Sequence, residues 1–524
     1  MRRTRAVAAA LAVVAVTACA RSESLPGPSS TEPATPTGSG ARPSVVVILV
    51  DDLDLAMYAD RDRFPVFHQE MVQRGTTLSN FFVTESLCCP SRASLLRGQY
   101  VHNTGIRSNV PPAGGFEKFR ADGLEQSTLA TWLRDAGYHT GLIGKYLNGY
   151  PVAGDEAYVP PGWDEWVAPV RGNPYTQYDY TLNDNGTFVE YRNAESDYLG
   201  DILNAEANDF IRTAPADRPF FLYVAPFVPH DPAEPPARYS EAFPDASLPR
   251  PPSFDQPDLS AEPAWFRERR PLLNSEIRTM EVLYRLRLQS MLSVEDLIRG
   301  VVDTLEATDR LRDTYVVVTS DNGFHLGEHR LRPGKETAYE EDIHVPFVVR
   351  GPGIPAGERI DDLTSAVDVA PTIAELAGAA VPDFVDGASI VNRLLGGPAE
   401  PGAGRDILIE HLGRTDPAVG ERRPFDPDAT APVPEDAPAD ATTTQDRVRA
   451  YGSPPSYAAI RTERYLYVEY ETGERQLYDL NTDPFQLRNL AATAPEALRR
   501  DLADRLARLR TCAAATCRAT TARR

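Results

Sequence analysis

No two cysteines in this chain have the Cys-x-x-Cys spacing of a redox dithiol, and only five occur in 524 residues. That absence argues against thiol–disulfide exchange as the function. Basic residues are in deficit too: 54 lysines and arginines face 75 aspartates and glutamates, for a formal net charge of -21. A general nucleic-acid binder needs a basic footprint and is excluded. A long polyanionic substrate is also harder to attract, unless a basic pocket is hidden locally. The apolar run from Ala6 to Val16 is too short to span a bilayer, and no internal repeat is visible. What is present describes an ordinary globular chain, 42% hydrophobic and 25% charged. Its length makes two domains the natural expectation.

The N-terminus reads as an address. "MRRTRAVAAALAVVAVTACA" has a basic start, an apolar run and then small residues, the pattern of a secretory signal over 1–18. "VTAC", ending at Cys19, resembles the lipobox of bacterial lipoproteins, which implies cleavage before Cys19 and a lipid on it. Membrane contact is then expected only through that anchor. An ordinary signal peptide with an incidental cysteine is the other reading, and it leaves the protein secreted. Arg2 and Arg3 hint at twin-arginine export. Residues 19–43, rich in Ser, Pro, Thr and Gly, read as a flexible tether.

"SVVVILVDD" (44–52) is an unbroken apolar run ending in two carboxylates. Such runs suit strands buried on both faces, as in a parallel sheet. "TYVVVTSDNG" (314–323) repeats the design and ends at Asp321 and Asn322. "FFLYVAPFVPHDP" (220–232) ends near His230, "YHTGLIGKY" (138–146) near Lys145, and "HVPFVVRGPG" (344–353) in a turn. Helical patterns lie between them, including "STLATWLRDAGY" and the stretch from Ser275 to Leu311. This alternation predicts an α/β catalytic domain over 44–400, with a large, mostly parallel sheet flanked by helices. Ligands of open α/β sheets sit at the carboxyl ends of the strands. Here those ends carry Asp, Asn, His and Lys.

A smaller C-terminal subdomain is expected over 401–524. Residues 413–456 form a Pro/Ala/Asp-rich insertion that reads as a mobile surface loop. After it, "YAAIRTERYLYVEYETGERQLYDL" alternates and turns at Thr472–Gly473, predicting a short antiparallel sheet. The helix "APEALRRDLADRLARLR" follows. In an exported protein, Cys512 and Cys517 suit a short terminal disulfide.

Asp51, Asp52, Asp321 and Asn322 are oxygen donors delivered from two strand ends. Hard divalent cations, Ca²⁺ or alternatively Mg²⁺, want that set. Taken alone, Asp51 and Asp52 equally suit the capping of a following helix. In "SLCCPSRASLLRG" (86–98), Pro90 suits the first position of a helix that runs to Gly98. Cys88 then sits just before a helix N-terminus, where anions are favoured, with the fixed cation Arg92 one turn in. Such a cysteine is an activated thiolate or the precursor of something else.

These residues resemble the sulfatase signature, Cys-x-Pro-Ser-Arg followed by a helix and Gly. Further blocks of that family follow in order: "VVVILVDDLD", "GLIGKYLNGY", "PFVPHDP", "SDNGFHLGEH", "GKETAYEEDIHVPFVVRGPG" and "LYDLNTDPFQLRNLA". The likeness covers nearly all of the chain from residue 44, except the insertion. It implies an alkaline phosphatase-like fold. It also implies that a formylglycine-generating enzyme converts Cys88 to formylglycine (3-oxoalanine), leaving Cys89 as an ordinary neighbour. By the same resemblance, Cys88 joins Asp51, Asp52, Asp321 and Asn322 around the metal. One hydroxyl of the hydrated aldehyde would attack sulfur and the other would then expel sulfate. Arg92, Lys145 and Lys335 would surround the sulfate, and His230 would protonate the departing oxygen. His102 and His325 are further candidates for touching formylglycine or substrate.

A lone histidine at a strand end is ordinarily a structural hydrogen-bonder, and a lone lysine is ordinarily solvated. Only the family context raises His230 and Lys145 above that. Many members have a histidine two positions after the lysine matching Lys145, where this chain has Leu147, so the group that deprotonates the hydrate is left open. "GKYLNGY" also looks closest to the branch acting on N-acetylglucosamine 6-sulfate. The expected substrate is a sulfated sugar, as a small molecule or oligosaccharide, or an aryl sulfate. Two alternatives compete: a phosphonate monoester or phosphodiester hydrolase on the same fold, and an inactive lipoprotein that only captures sulfated glycans.

Overall fold

The computed structural model describes residues 42–398, 405–413 and 454–521. The expected signal and Cys19 anchor, and all but the edges of the expected tether and insertion, lie outside them. In chain order the strands are β1 (Ser44–Val50), β2 (Thr76–Phe82), β3 (His139–Gly144), β4 (Glu165–Gly172), β5 (Tyr180–Asp184) and β6 (Thr187–Tyr191). Then come β7 (Phe220–Ala225), β8 (Thr314–Ser320), β9 (Phe347–Arg350) and β10 (Glu358–Ser365). These ten form one mixed sheet in the order β10-β2-β9-β8-β1-β7-β3-β4-β5-β6. Its centre, β8-β1-β7-β3-β4, is parallel throughout.

The unbroken apolar run of β1 follows from that central place. Val45, Val47 and Leu49 enter one core with Ala93, Leu96, Leu133 and Ile373. Val46, Ile48 and Val50 enter the other with Leu203, Leu297, Ile298 and Val301. Each such side chain stabilises by roughly 1.5–3 kcal/mol when fully buried, so a polar substitution anywhere in β1 would disturb a helical layer. The helix Asn274–Ala307 covers the second face; Glu276 caps its start by accepting from the Leu273 N–H at 2.7 Å. Among the described residues no helix is long and apolar enough to cross a membrane.

The remaining strands, β11 (Ile407–His411), β12 (Tyr457–Arg461), β13 (Tyr465–Tyr470) and β14 (Arg475–Asp479), make a separate four-stranded antiparallel sheet. The helix Glu496–Leu509 buries Leu502, Leu506 and Leu509 against Leu408, Ile460 and Leu477. Their i, i+4, i+7 spacing puts all three leucines on one face. Just beyond, Cys512 and Cys517 form the expected disulfide.

Glu262 ties the two parts together and carries a pH consequence. Its carboxyl is buried and accepts from Gln476 Nε2 at 2.8 Å and the Tyr478 hydroxyl at 2.7 Å. Burial pushes its pKa up to about 7, against the pull of those donors. A raised folded pKa gives stability that is full below the unfolded value of 4.5 and is lost as pH rises through about 7. Glu262→Gln keeps an acceptor and removes the titration. The variant should therefore gain on the native protein between pH 4.5 and 8, by on the order of 3 kcal/mol. Melting both proteins at pH 5 and pH 8 tests this, and a difference in melting temperature that ignores pH would refute it.

Candidate active site

Four neighbouring parallel strands, β8, β1, β7 and β3, end at one edge and deliver the polar residues. β1 runs into Asp51 and Asp52, β8 into Asp321 and Asn322, β3 into Lys145, and the turn after β7 into His230. Two backbone features let them converge. Gly144 has φ +108°, and a Cβ there would stand 2.1 Å from the Ala225 carbonyl oxygen. Only glycine lets β3 close on β7, where Lys145 N–H donates to that oxygen at 2.8 Å. Asp52 holds a left-handed φ of 63°, an unfavourable conformation kept by its surroundings. Its N–H donates to Asp321 Oδ1 at 3.2 Å. Arg287, from the long helix, braces its carbonyl (2.8 Å), the Asp54 carboxylate (2.8 Å) and the Pro229 carbonyl beside His230 (3.1 Å).

The helix starts two residues earlier than Pro90 suggests: Cys88 itself opens Cys88–Arg97, which ends at Gly98 in the left-handed region. Its Sγ lies 2.8 Å from Lys335 Nζ and 3.7 Å from Asp51 Oδ1. Lys335 Nζ also donates to Asp52 Oδ1 at 2.6 Å, and Lys145 Nζ donates to both Asp51 oxygens at 2.9 and 2.7 Å. Arg92 Nε donates to Asp321 Oδ2 at 2.7 Å and Nη1 to the Lys145 carbonyl at 2.9 Å. Its Nη2 is buried without a hydrogen-bond partner among the described residues, 3.7 Å from Asp51 Oδ1. His230 Nδ1 donates to the Asp231 carbonyl at 2.7 Å, which turns Nε2 toward the carboxylates, 3.8 Å from Asp52 Oδ2. The Tyr175 ring closes this side, 4.4 Å from the His230 ring and 5.1 Å from Lys145 Nζ.

Three carboxylates and three cations thus share a buried site, where each charge acts more strongly than in solution. Burial is the largest influence on Asp51 and raises its pKa, with Lys145 pulling the other way. Burial also raises Asp321, but Arg92, Lys145 and Lys335 outweigh it and hold that carboxyl well below the usual range. The neighbouring thiol differs: burial pushes Cys89 up to about 12, and its backbone N–H is fixed by Asn109 Oδ1 at 2.9 Å. Cys89 is therefore inert packing.

Asp52 Oδ2 and Asn322 Oδ1 are buried oxygens without a hydrogen-bond donor among the described residues. Asp52, Cys88 and His230 offer ligand atoms within 4.8 Å of one another, as do Asp51, Cys88 and Asp321. Unsatisfied oxygens within a carboxylate-rich set fit a hard divalent cation.

The structure thus brings together Asp51, Asp52, Cys88, Arg92, Lys145, His230, Asp321, Asn322 and Lys335. His325 flanks them: its backbone pairs with Gly334, beside Lys335, and its Nδ1 meets Asp342 at 2.9 Å. Burial lowers its pKa, but Asp342 prevails and raises it. His102 is placed elsewhere. Its Nδ1 binds Glu410 at 2.7 Å and its Nε2 the Cys512 carbonyl at 2.8 Å, so both nitrogens are spent latching the signature region to the C-terminal disulfide. Leu147 lies in the apolar core and offers no base. Arg287, Tyr175 and Asp342 are not singled out by the sequence; only the apolar surroundings of Arg287 within a helical pattern could have signalled a buried role.

The family model described as Sulfatase matches residues 43–379. An arylsulfatase of Volvox carteri is 35% identical over 91% of this chain and 76% of its own length. The human N-acetylglucosamine-6-sulfatase is 34% identical over 91% of this chain and 86% of its own. Among solved structures, one in complex with its substrate D-glucosamine-2-N,6-O-disulfate superposes with a TM-score of 0.68 at 21% identity, covering 89% of this chain and 97% of that one. The phosphonate monoester hydrolase of Agrobacterium radiobacter gives 0.66 at 21% identity, covering 90% and 95%. These two likenesses speak to the fold.

Proposed function

Because this chain belongs to the sulfatase family and is a sulfuric ester hydrolase, we propose that it cleaves the sulfate monoester of a sugar through a nucleophile made from Cys88. The observation that carries this reading is the position of Cys88 Sγ, at a helix N-terminus and in contact with Lys335 inside a buried ring of cations. N-acetylglucosamine 6-sulfate is the proposed sugar, by likeness to the human relative, and aryl sulfates are proposed as surrogate substrates.

Converted to formylglycine, residue 88 would supply a hydrated aldehyde as nucleophile. Asp51, Asp52, Asp321 and Asn322, with residue 88, would hold Ca²⁺, or alternatively Mg²⁺, which as a Lewis acid would polarise nucleophile and sulfate. The chain's own residues do the rest. Lys145 and Lys335, anchored on Asp51 and Asp52, set two ammonium charges against the sulfate oxygens. Arg92, gripped by Asp321 and the Lys145 carbonyl, holds its guanidinium rigid against developing negative charge. His230, its Nδ1–H committed to the Asp231 carbonyl, hands a proton from Nε2 to the departing oxygen. The N-terminal segment supports export, with a lipid on Cys19 as the proposed anchor.

The test is protein coexpressed with a formylglycine-generating enzyme and assayed on N-acetylglucosamine 6-sulfate, 4-nitrophenyl sulfate and a phenyl phosphonate ester. Sulfate esters should be preferred, and chelation should lower turnover by roughly 100-fold or more, restored by Ca²⁺ or Mg²⁺. Preference for the phosphonate would favour the diesterase-like alternative, and turnover indifferent to chelation would remove the metal.

A further inference from the structure

One side chain of the long helix Asn274–Ala307 reaches three of the strand ends that build the site. Position 287 falls on the buried face of that helix with Tyr284, Leu288 and Met291, spaced three and four residues apart. An arginine fully buried there is costly unless paired. Asp54 supplies the opposite charge, accepting from Nη2 at 2.8 Å. The guanidinium does more than meet that charge. Nη2 also donates to the Asp52 carbonyl at 2.8 Å, and Nη1 donates to the Pro229 carbonyl at 3.1 Å. The guanidinium carbon lies 4.4 Å from the centre of the Phe324 ring, just beyond Asp321 and Asn322 in the chain. The segments leaving β1, β7 and β8 therefore meet on one planar cation.

The two carbonyls it spans belong to backbones that carry different parts of the chemistry. Asp52 is a proposed metal ligand, and His230, the residue after Pro229, is the proposed acid. Their side chains face each other, His230 Nε2 standing 3.8 Å from Asp52 Oδ2. Asp52 Oδ1 is held by Asn322 Nδ2 and Lys335 Nζ, each at 2.6 Å. Covalent geometry fixes the distance between Nη1 and Nη2, so the guanidinium fixes how far apart the Asp52 and Pro229 carbonyls lie. Asp52 needs such a restraint, because its φ of 63° is a left-handed conformation that an L-residue keeps only when held. Its N–H contributes little, meeting Asp321 Oδ1 at a long 3.2 Å.

We propose that Arg287 is a positioning residue, which keeps the cation-binding carboxylate of Asp52 and the proton-donating nitrogen of His230 in register. It acts through those two residues and takes no part in bond breaking. The assignment rests on the sulfatase reading and says how the two halves of that site are held together. The planar fork, and not the charge alone, does this. Lysine keeps a cation for Asp54, but its single nitrogen replaces two donors set at a fixed spacing.

The experiment compares native protein, Arg287→Lys, His230→Ala and the double variant. Calcium is first titrated calorimetrically into each metal-stripped full chain. Arg287→Lys should bind it roughly 10- to 100-fold more weakly, the scale on which residues supporting a metal ligand act. In matured enzyme saturated with calcium, Arg287→Lys should lower kcat/KM on N-acetylglucosamine 6-sulfate by roughly 10-fold or more, and on 4-nitrophenyl sulfate by under about threefold. In the His230→Ala background the same change should cost under about threefold on the sugar sulfate, because no acid is left to misplace. A merely structural arginine would lower melting temperature and both activities in proportion, with or without His230. That result overturns the assignment, and so does calcium affinity that Arg287→Lys leaves native. If Arg287→Lys does not fold, Phe324→Leu decides. It removes the ring beside the guanidinium, keeps every charge and hydrogen-bonding group, and should weaken calcium by roughly threefold with the same bias against the sugar sulfate. Native calcium affinity and an unchanged substrate ratio in Phe324→Leu would then overturn the proposal. Matured native enzyme that cleaves neither ester sinks the sulfatase reading instead, with the calcium titration still deciding the role of Arg287.

Discussion

Cys88→Ala should lower sulfate ester turnover by about 10⁴-fold or more, the scale on which loss of a covalent nucleophile is felt. The native chain, matured in the same host, should show a loss of about 18 Da at residue 88 in its tryptic peptide. Alanine removes the sulfur and with it any route to the aldehyde. It should leave the charge balance standing, because Lys335 keeps Asp52 at 2.6 Å and Lys145 keeps Asp51. Melting temperature therefore separates the chemical loss from a folding loss. Cys89→Ala is the companion experiment. Cys89 is equally buried but belongs to the apolar core, so its truncation should cost stability while matured activity stays within about twofold. If Cys88→Ala retained more than about a hundredth of native activity, the nucleophile would have to be sought elsewhere.

Cys88 and Cys89 can be told apart from sequence because the signal that separates them is local. Pro90, Ser91 and Arg92 match the sulfatase signature, and counting back from them by that resemblance assigns the reactive position to Cys88. The central strands are equally legible, because a strand buried on both faces cannot hide its unbroken apolar run: Val45 to Val50 is such a run, fully buried. The hairpin at Thr472–Gly473 is legible from alternation and a turn residue. Pairings between distant segments leave no such mark. β2 joins β9 and β10 across more than 260 residues, and nothing within "TTLSNFF" announces it.

The same limit governs the site. His102 follows the signature helix and is a reasonable neighbour for substrate by sequence, yet Glu410, 308 residues on, claims its ring. Arg287 sits in "YRLRLQSML" beside Arg285, and the pair looks alike in sequence. Only packing shows that Arg287 is fully buried and spans the Asp52 and Pro229 carbonyls.

His230→Ala should cost roughly 10²- to 10⁴-fold on a sugar sulfate, and much less on 4-nitrophenyl sulfate. The asymmetry is the content of the prediction. A sugar alkoxide is strongly basic and leaves poorly without a proton, whereas nitrophenolate is stable near neutral pH and needs no acid. The geometry equips His230 to supply that proton, since Nδ1–H is committed to the Asp231 carbonyl at 2.7 Å and Nε2 faces Asp52. Tyr175, 4.4 Å away, limits how far the ring can turn. A purely structural or sulfate-binding histidine would lose both substrates in proportion, because the sulfate group is common to them. The informative measurement is therefore kcat/KM for native and variant enzyme across sulfate esters of graded leaving-group basicity. A steeper dependence in His230→Ala assigns the proton to Nε2. Parallel lines would take the acid role from His230 and leave it a ligand of the sulfate or the metal.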